Sequence, residues 1–372
     1  MSRPQHICHI TTVHPSKDVR IFRKECISLA KAGYKVTLIV VNGESEQVDG
    51  VEILGVPVEF GNRLQRFSKA TKAAYQKALD LKADLYHFHD PEFLPYGVRL
   101  METGVPVIFD SHENTGQQIL SKHYIPPPLR KLISKLYHGY EQRKARKLSA
   151  IITATEHIND YFSNFHRKVV SVMNYPMLHE VPEKPSHDKR ETKVAYVGSI
   201  TAIRGAREMV EAMETVEGQL MLGGSFSPAA LENDLEAGPG WNKVEVLGYL
   251  NREQIWNLYS TCSVGLVLFW PEPNHVEAQP NKIFEYMMAG LPVIGSHFPL
   301  WKDIIETEDC GICVDPMDTK AISEAINTIL QNKEQSIAMG QRGRKAVEER
   351  YNWSKEEAKL LSLYQDLLST RS

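Results

Sequence analysis

Short β-rich runs alternate with stretches of helical periodicity along the whole chain, in two series separated by one polar loop. The first series reads HICHIT at 6–11, a helical DVRIFRKECISLAKAG at 18–33, then YKVTLIVV at 34–41. It continues with ADLYHFH, a helix near PEFLPYGVRLMETG, VPVIFDS, a long basic helix from about Leu129 to Leu148, AIITAT and KVVSVMN. A strand, a helix and a further strand in repetition predict a parallel sheet covered by helices on both faces. The second series, VAYVGS, QLMLGGS, KVEVLGYL, VGLVLF, LPVIGS and GICVDP, repeats the pattern after the proline-rich and charged loop PMLHEVPEKPSHDKRET. The expectation is an α/β chain of two Rossmann-like domains, 1–176 and 193–352, with 177–192 as linker.

Length agrees, because 372 residues exceed what one hydrophobic core usually serves. A composition of 42% hydrophobic and 24% charged residues with a net charge of −3 is that of a soluble globular chain and offers no overall attraction to nucleic acid. Five cysteines without regular pairing point to free thiols and a cytoplasmic location. No basic segment followed by an apolar run opens the chain, and no apolar window is long enough to span a bilayer. Cys310 and Cys313 form a C-x-x-C that lacks a second ligand pair, so a short strand with small side chains is the expected reading rather than half a zinc site.

Open parallel sheets bind ligands at the carboxyl ends of their strands, so chemistry is sought there, and two such domains are expected to share a cleft. After VAYV come Gly198 and Ser199, then Arg204 before a helix, a combination suited to an anion such as a diphosphate. After VGLVLFW, Pro280 and Asn281 are expected to start a helix whose first amides, on Asn281, Lys282 and Ile283, accompany the lysine charge. Glu285 falls one turn after Asn281, and Glu277 precedes the helix. Two carboxylates beside an anion site make sense as hydrogen-bond acceptors for sugar or ribose hydroxyls.

In the first half three strand ends are polar: Thr11 to His14 with Asp18 and Arg20; His87, His89 and Asp90; and Asp110 to Glu113. Such histidine clusters bind either a metal or anions and hydroxyls, and the expectation is no metal, since no HExxH or similar ligand helix occurs. The segment 126–149 carries seven Lys or Arg against one acidic residue, with Leu129, Leu132, Ile133, Leu136, Tyr137 and Tyr140 at helical spacing. It is expected either to dock on an anionic membrane surface or to be a core helix with a solvated basic face.

Taken in order, VAYVGS with Arg204-Gly205, the pair Glu277 and Glu285, AGLPVI at 289–294, CGICVDP at 310–316 and the terminal YNWSKEEAKLLSLY resemble the retaining glycosyltransferase family 4 of the GT-B fold. The resemblance covers essentially the whole chain and is most specific from 194 to 316. It implies that the helix at about 353–372 crosses back to complete the first domain. It also implies that Glu285 holds the ribose of a nucleotide-diphosphate sugar, Glu277 contacts the donor sugar, and Arg204 and Lys282 neutralise the diphosphate. Gly198, Ser199, Asn281 and Ile283 would join the donor site, and Gly248, Tyr249 and Leu250 would meet the base.

His112 matches a family histidine beside the reacting centre, while His14, Asp18, Arg20, His89, Asp90 and Glu113 would form the acceptor side. The acceptor implied is a glycan or a polyprenyl-diphosphate-linked saccharide of bacterial capsule, O-antigen or exopolysaccharide synthesis. Retention by front-face displacement and the lack of Asp-x-Asp imply a metal-independent enzyme without a cofactor beyond its co-substrate. Departures from the family are the loop VHPSKDVRIF where a glycine pair is common, Ala278-Gln279 for Gly-Phe, and Lys282 at a commonly apolar position. A non-hydrolysing nucleotide-sugar epimerase and a non-catalytic sugar-nucleotide-binding subunit are the competing readings.

Overall fold

The computed structural model describes residues 3–62, 65–120, 125–181 and 190–369. The chain divides into two units, each with its own core: Met1–Asn174 with Trp353–Ser372, and Tyr175–Asn352. Most of the expected linker, 182–189, lies outside the described residues.

The first unit is built on β1 (His6–Thr11), β2 (Lys35–Val41), β3 (Glu46–Val48), β4 (Val51–Val56), β5 (Leu85–Phe88), β6 (Val107–Ser111), β7 (Ala150–Thr153) and β8 (Val169–Ser171). They are ordered β3-β4-β2-β1-β5-β6-β7-β8, all parallel except the β3–β4 hairpin. The central strands are buried on both faces, as covered parallel sheets require, but β1 and β5 interrupt their apolar runs with buried His6, His9, Thr11 and His87. The strand order reverses between β1 and β5, the place where this architecture opens a crevice. The final helix, Trp353–Ser369, packs into this unit: Trp353 Nε1 donates to Ser28 Oγ (3.0 Å) and the Met173 amide donates to Glu356 (2.8 Å).

The second unit contains β9 (Lys193–Val197), β10 (Gln219–Gly223), β11 (Val244–Gly248), β12 (Val264–Val267), β13 (Val293–Ser296) and β14 (Gly311–Val314). Its order β11-β10-β9-β12-β13-β14, all parallel, is the doubly wound arrangement, with the switch between β9 and β12. Cys310 and Cys313 flank and enter β14 as free thiols, as the strand reading expects.

The hairpin β3–β4 and the helical stretch from Arg66 to Leu81 were not expected from the sequence. The basic helix runs Pro127–Ala145, with proline in its first turn, rather than from about Leu129 to Leu148. Among the described residues no helix is long and apolar enough to cross a membrane.

Candidate active site

At the switch point of the second unit, two cations share one desolvated position. Gly198 ends β9 with φ 147°, and a Cβ there would lie 2.6 Å from Lys282 Nζ, so only glycine lets the ammonium settle over the strand end. Lys282 Nζ is 5.3 Å from the Tyr196 ring centroid and 5.8 Å from that of Phe269, while Arg204 Cζ lies 5.4 Å from the same Phe269 ring. Gly205, at φ 72°, turns the chain after Arg204 where a Cβ would strike the Leu268 carbonyl at 2.2 Å. Burial, reinforced by Arg204, lowers the Lys282 pKa to about 8. Among the described residues neither Arg204 nor Lys282 forms an ion pair.

Helix Asn281–Met288 begins where Pro280 and Asn281 predict, and it carries Lys282 and Glu285. The expected contribution of Ile283 is corrected: its side chain is fully buried and its amide donates to the Pro280 carbonyl (3.2 Å), closing the first turn instead of facing a ligand. Glu285 is not a lone carboxylate. Arg252 Nη1 donates to its Oε1 at 2.5 Å and Nη2 to Glu180, while the guanidinium lies 5.1 Å from the Trp256 ring centroid. Arg252 starts the helix Arg252–Thr261, capped by Asn251, just after Gly248, Tyr249 and Leu250, so it ties that loop to Glu285. Sequence reasoning did not single out Arg252, although its place just after a strand end was the available signal. Tyr249 is 85% exposed, and Leu250 packs against Gly223. Ser199 is exposed, its carbonyl accepting from Tyr196 Oη (2.9 Å), and half-buried Glu277 caps the short helix Pro273–Val276.

In the first unit a cavity of about 550 Å³ opens at the strand ends, bordered by His14, His89, Asp90, Glu92, Ser111, His112 and Glu113, with Tyr137 and Tyr140 from the basic helix. Asp90 is buried and accepts from Thr11 Oγ1 (2.9 Å) and the Thr12 amide (2.6 Å), which joins the ends of β1 and β5. Its other oxygen is 3.5 Å from His14 Nε2. His112 Nε2 donates to Asp110 Oδ2 at 2.9 Å, so in the neutral ring Nδ1 is left as acceptor. Glu92, Tyr137 and Tyr140 border this cavity without having been singled out as site residues from the sequence.

Two acceptor-side expectations are corrected. Arg20 is 4% exposed and its guanidinium is engaged inside the unit: Nε and Nη2 donate to Asp110 at 2.9 and 2.8 Å, and Nη1 to the Val172 carbonyl at 2.7 Å. Asp18 caps the helix that follows, accepting from the amides of Arg20 and Ile21 at 2.8 and 2.9 Å. Both shape the loop and neither borders the cavity. Burial pushes the Asp110 carboxyl up, but Arg20 and His112 more than reverse this and hold it well below the usual carboxylate range.

The family model described as "Glycosyltransferase Family 4" matches residues 20–174, and that described as "Glycosyl transferases group 1" matches residues 179–346. An uncharacterized glycosyltransferase of Methanocaldococcus jannaschii is 26% identical over 179 residues, 47% of this chain and 45% of that protein. The chain thus spans about half the length of that relative. The O-antigen chain mannosyltransferase C of Escherichia coli is 24% identical over 259 residues, 65% of this chain and 67% of the other. Among solved structures, sucrose-phosphate synthase from Thermosynechococcus elongatus superposes with TM-score 0.81 at 20% identity, covering 98% of this chain and 100% of that one.

Proposed function

Since this chain belongs to the GT-B glycosyltransferases, with a family 4 segment followed by a group 1 segment, we propose that it transfers a sugar from a nucleoside-diphosphate sugar to a saccharide acceptor with retention at the anomeric carbon. The observation that carries this reading is the unpaired cation couple of Arg204 and Lys282, half-buried at a sheet switch point and stacked around Phe269. Two positive groups held together without a carboxylate partner are costly, and an anion such as a diphosphate relieves that cost. Glu285, with one oxygen fixed by Arg252, keeps the other for a ribose diol, and Glu277 takes the donor sugar. Exposed Tyr249 offers the base a stacking face.

As the glycosidic bond breaks, negative charge grows on the leaving diphosphate, and fixed cations stabilise it there. The leaving phosphate takes the acceptor proton, so no protein base and no metal enters the step. In the first unit, His14, Asp90, His112 and Glu113 present acceptors and donors to saccharide hydroxyls. The Escherichia coli relative supports an acceptor among bacterial surface polysaccharides. The test is thermal shift with UDP, GDP and ADP and their sugars. One nucleotide family is expected to raise Tm, with the shift reduced in Glu285→Ala and Arg252→Ala. No response to any of them would remove the donor site.

The basic helix favours an acceptor presented at an anionic bilayer. Leu129, Leu132, Leu136 and Tyr140 lie on one face and are exposed, Leu136 by 65%, beside Lys135, Arg143, Lys144 and Lys147. The exposure of those leucines, on a helix that also buries Ser134, Glu141 and Ala145, supports the lipid-facing reading over a purely core-facing one. Co-sedimentation with vesicles containing phosphatidylglycerol is expected. Leu132→Glu with Leu136→Glu should weaken it by on the order of 100-fold without changing Tm. Equal sedimentation of the variant would show that these leucines do not enter lipid.

A further inference from the structure

Beneath the first unit's cavity, four side chains from three segments converge away from solvent. His9 comes from β1, Glu25 from the helix that starts at Val19, and His87 and His89 from β5 and the residue just past it. All four are buried. One donor atom from each lies within 4.8 Å of the others.

The hydrogen bonds of the rings are divided in an informative way. One nitrogen of each ring is spent on an oxygen: His9 Nε2 on Tyr364 Oη (3.1 Å), His87 Nδ1 on the same hydroxyl (2.6 Å), and His89 Nδ1 on Asp110 Oδ2 (3.2 Å). The remaining nitrogens make no hydrogen bond to oxygen. His9 Nδ1 and His89 Nε2 share one hydrogen bond at 3.0 Å, and His87 Nε2 is buried without a partner, while His87 Nδ1 is also 4.0 Å from Glu25 Oε2. Glu25 is ion-paired with Arg20, whose Nε lies 3.2 Å from Oε1, yet neither of its carboxyl oxygens makes a hydrogen bond, and Oε2 is 3.9 Å from His89 Nε2. A buried carboxyl without a hydrogen bond is expensive, and natural interiors rarely leave one so.

We propose that His9, Glu25, His87 and His89 bind one divalent transition metal of the zinc class, as a structural site. Three imidazoles and a carboxylate are a donor set that zinc accepts in four-coordinate geometry. His9 and His89 then keep their single proton on the outer nitrogen, where Tyr364 and Asp110 accept it, the usual arrangement around metal-bound histidine. The Glu25 carboxylate becomes the fourth ligand, and Arg20 bridges it to Asp110. With all four groups buried, no coordination position opens to the cavity, so the metal fastens β1, β5 and the helix Val19–Lys31 together, with the C-terminal helix joined through Tyr364. The proposal replaces the expectation of a chain without metal and leaves the transfer chemistry to the second unit's cations. It stands apart from the donor assignment, since its test needs no sugar nucleotide.

The full-length protein, purified without a histidine tag and passed through buffer with EDTA, is expected to carry about one zinc per chain by elemental mass spectrometry. Growth with Co²⁺ should give the visible absorption of four-coordinate cobalt. Removing the metal with a strong chelator in dilute denaturant should lower Tm by on the order of 10 °C, restored by Zn²⁺. Glu25→Gln and His87→Gln, where they fold, should lose metal affinity by ~10-fold or more. Should both variants fail to fold, the wild-type stoichiometry and the cobalt spectrum decide the matter. A wild-type protein that neither contains metal nor takes up Zn²⁺ or Co²⁺ on refolding would overturn the site. Unchanged metal content in folded Glu25→Gln and His87→Gln would do so too.

Discussion

Lys282→Ala is expected to lower kcat by ~10²–10³-fold, with a much smaller change in donor KM, because in the proposed transfer the ammonium acts most where negative charge develops on the leaving diphosphate. The variant should fold, since Lys282 forms no ion pair among the described residues and sits over a glycine that tolerates a shorter neighbour. Its depressed pKa adds a pH signature. With the folded value at about 8, the free protein loses this charge as pH rises through 8, whereas a bound diphosphate holds the proton on. Nucleotide affinity should therefore be flat below pH 7 and fall above pH 8, with proton uptake on binding, measured by calorimetry in buffers of different ionisation enthalpy. Lys282→Met should abolish that slope. A slope that persists in Lys282→Met would assign the titration to another group.

For folding the sign is opposite. An unfolded lysine binds its proton up to a higher pH than the folded one, so this residue's contribution makes the fold more stable as pH rises from about 8 toward the unfolded value.

Arg20→Met should cost about 3–5 kcal/mol of stability, the range seen when one partner of a buried ion pair is removed. Arg20 holds Asp110 through two hydrogen bonds and approaches Glu25, so its loss leaves two buried carboxylates without their cation. The midpoint of urea unfolding should fall accordingly, with the slope unchanged. A loss under about 1 kcal/mol would mean that Asp110 is satisfied by His89 and His112 alone. Because Asp110 also receives His112 Nε2, Arg20→Met should loosen His112 in the cavity, which links a folding residue to the proposed acceptor side.

Several features were open to reading before any coordinates. The β3–β4 hairpin turns on Asp49-Gly50, with φ 50° and 80°, the dipeptide that favours the tight turn joining two strands. Its flanking runs are short and partly charged, which hid them beside the longer apolar strands. Pro127 signalled the start of the basic helix, and the Leu129-Leu132-Leu136 spacing showed that those leucines share a face. Whether that face is buried could not be read from spacing, since a lipid-facing stripe and a core-facing stripe have the same period.

Local periodicity, strand-end glycines and the Pro280-Asn281 helix start were enough to establish two parallel α/β units and the start of the helix that carries Lys282 and Glu285. Strand order decided which of the polar groups remain available to a ligand. Arg20 meets Asp110 across 90 positions of sequence, and Arg252 meets Glu285 across 33. Propensity and capping act within a few residues of the chain, whereas an ion pair depends on which strands become neighbours, so only the tertiary structure separates a charge that binds substrate from one already spent on the fold.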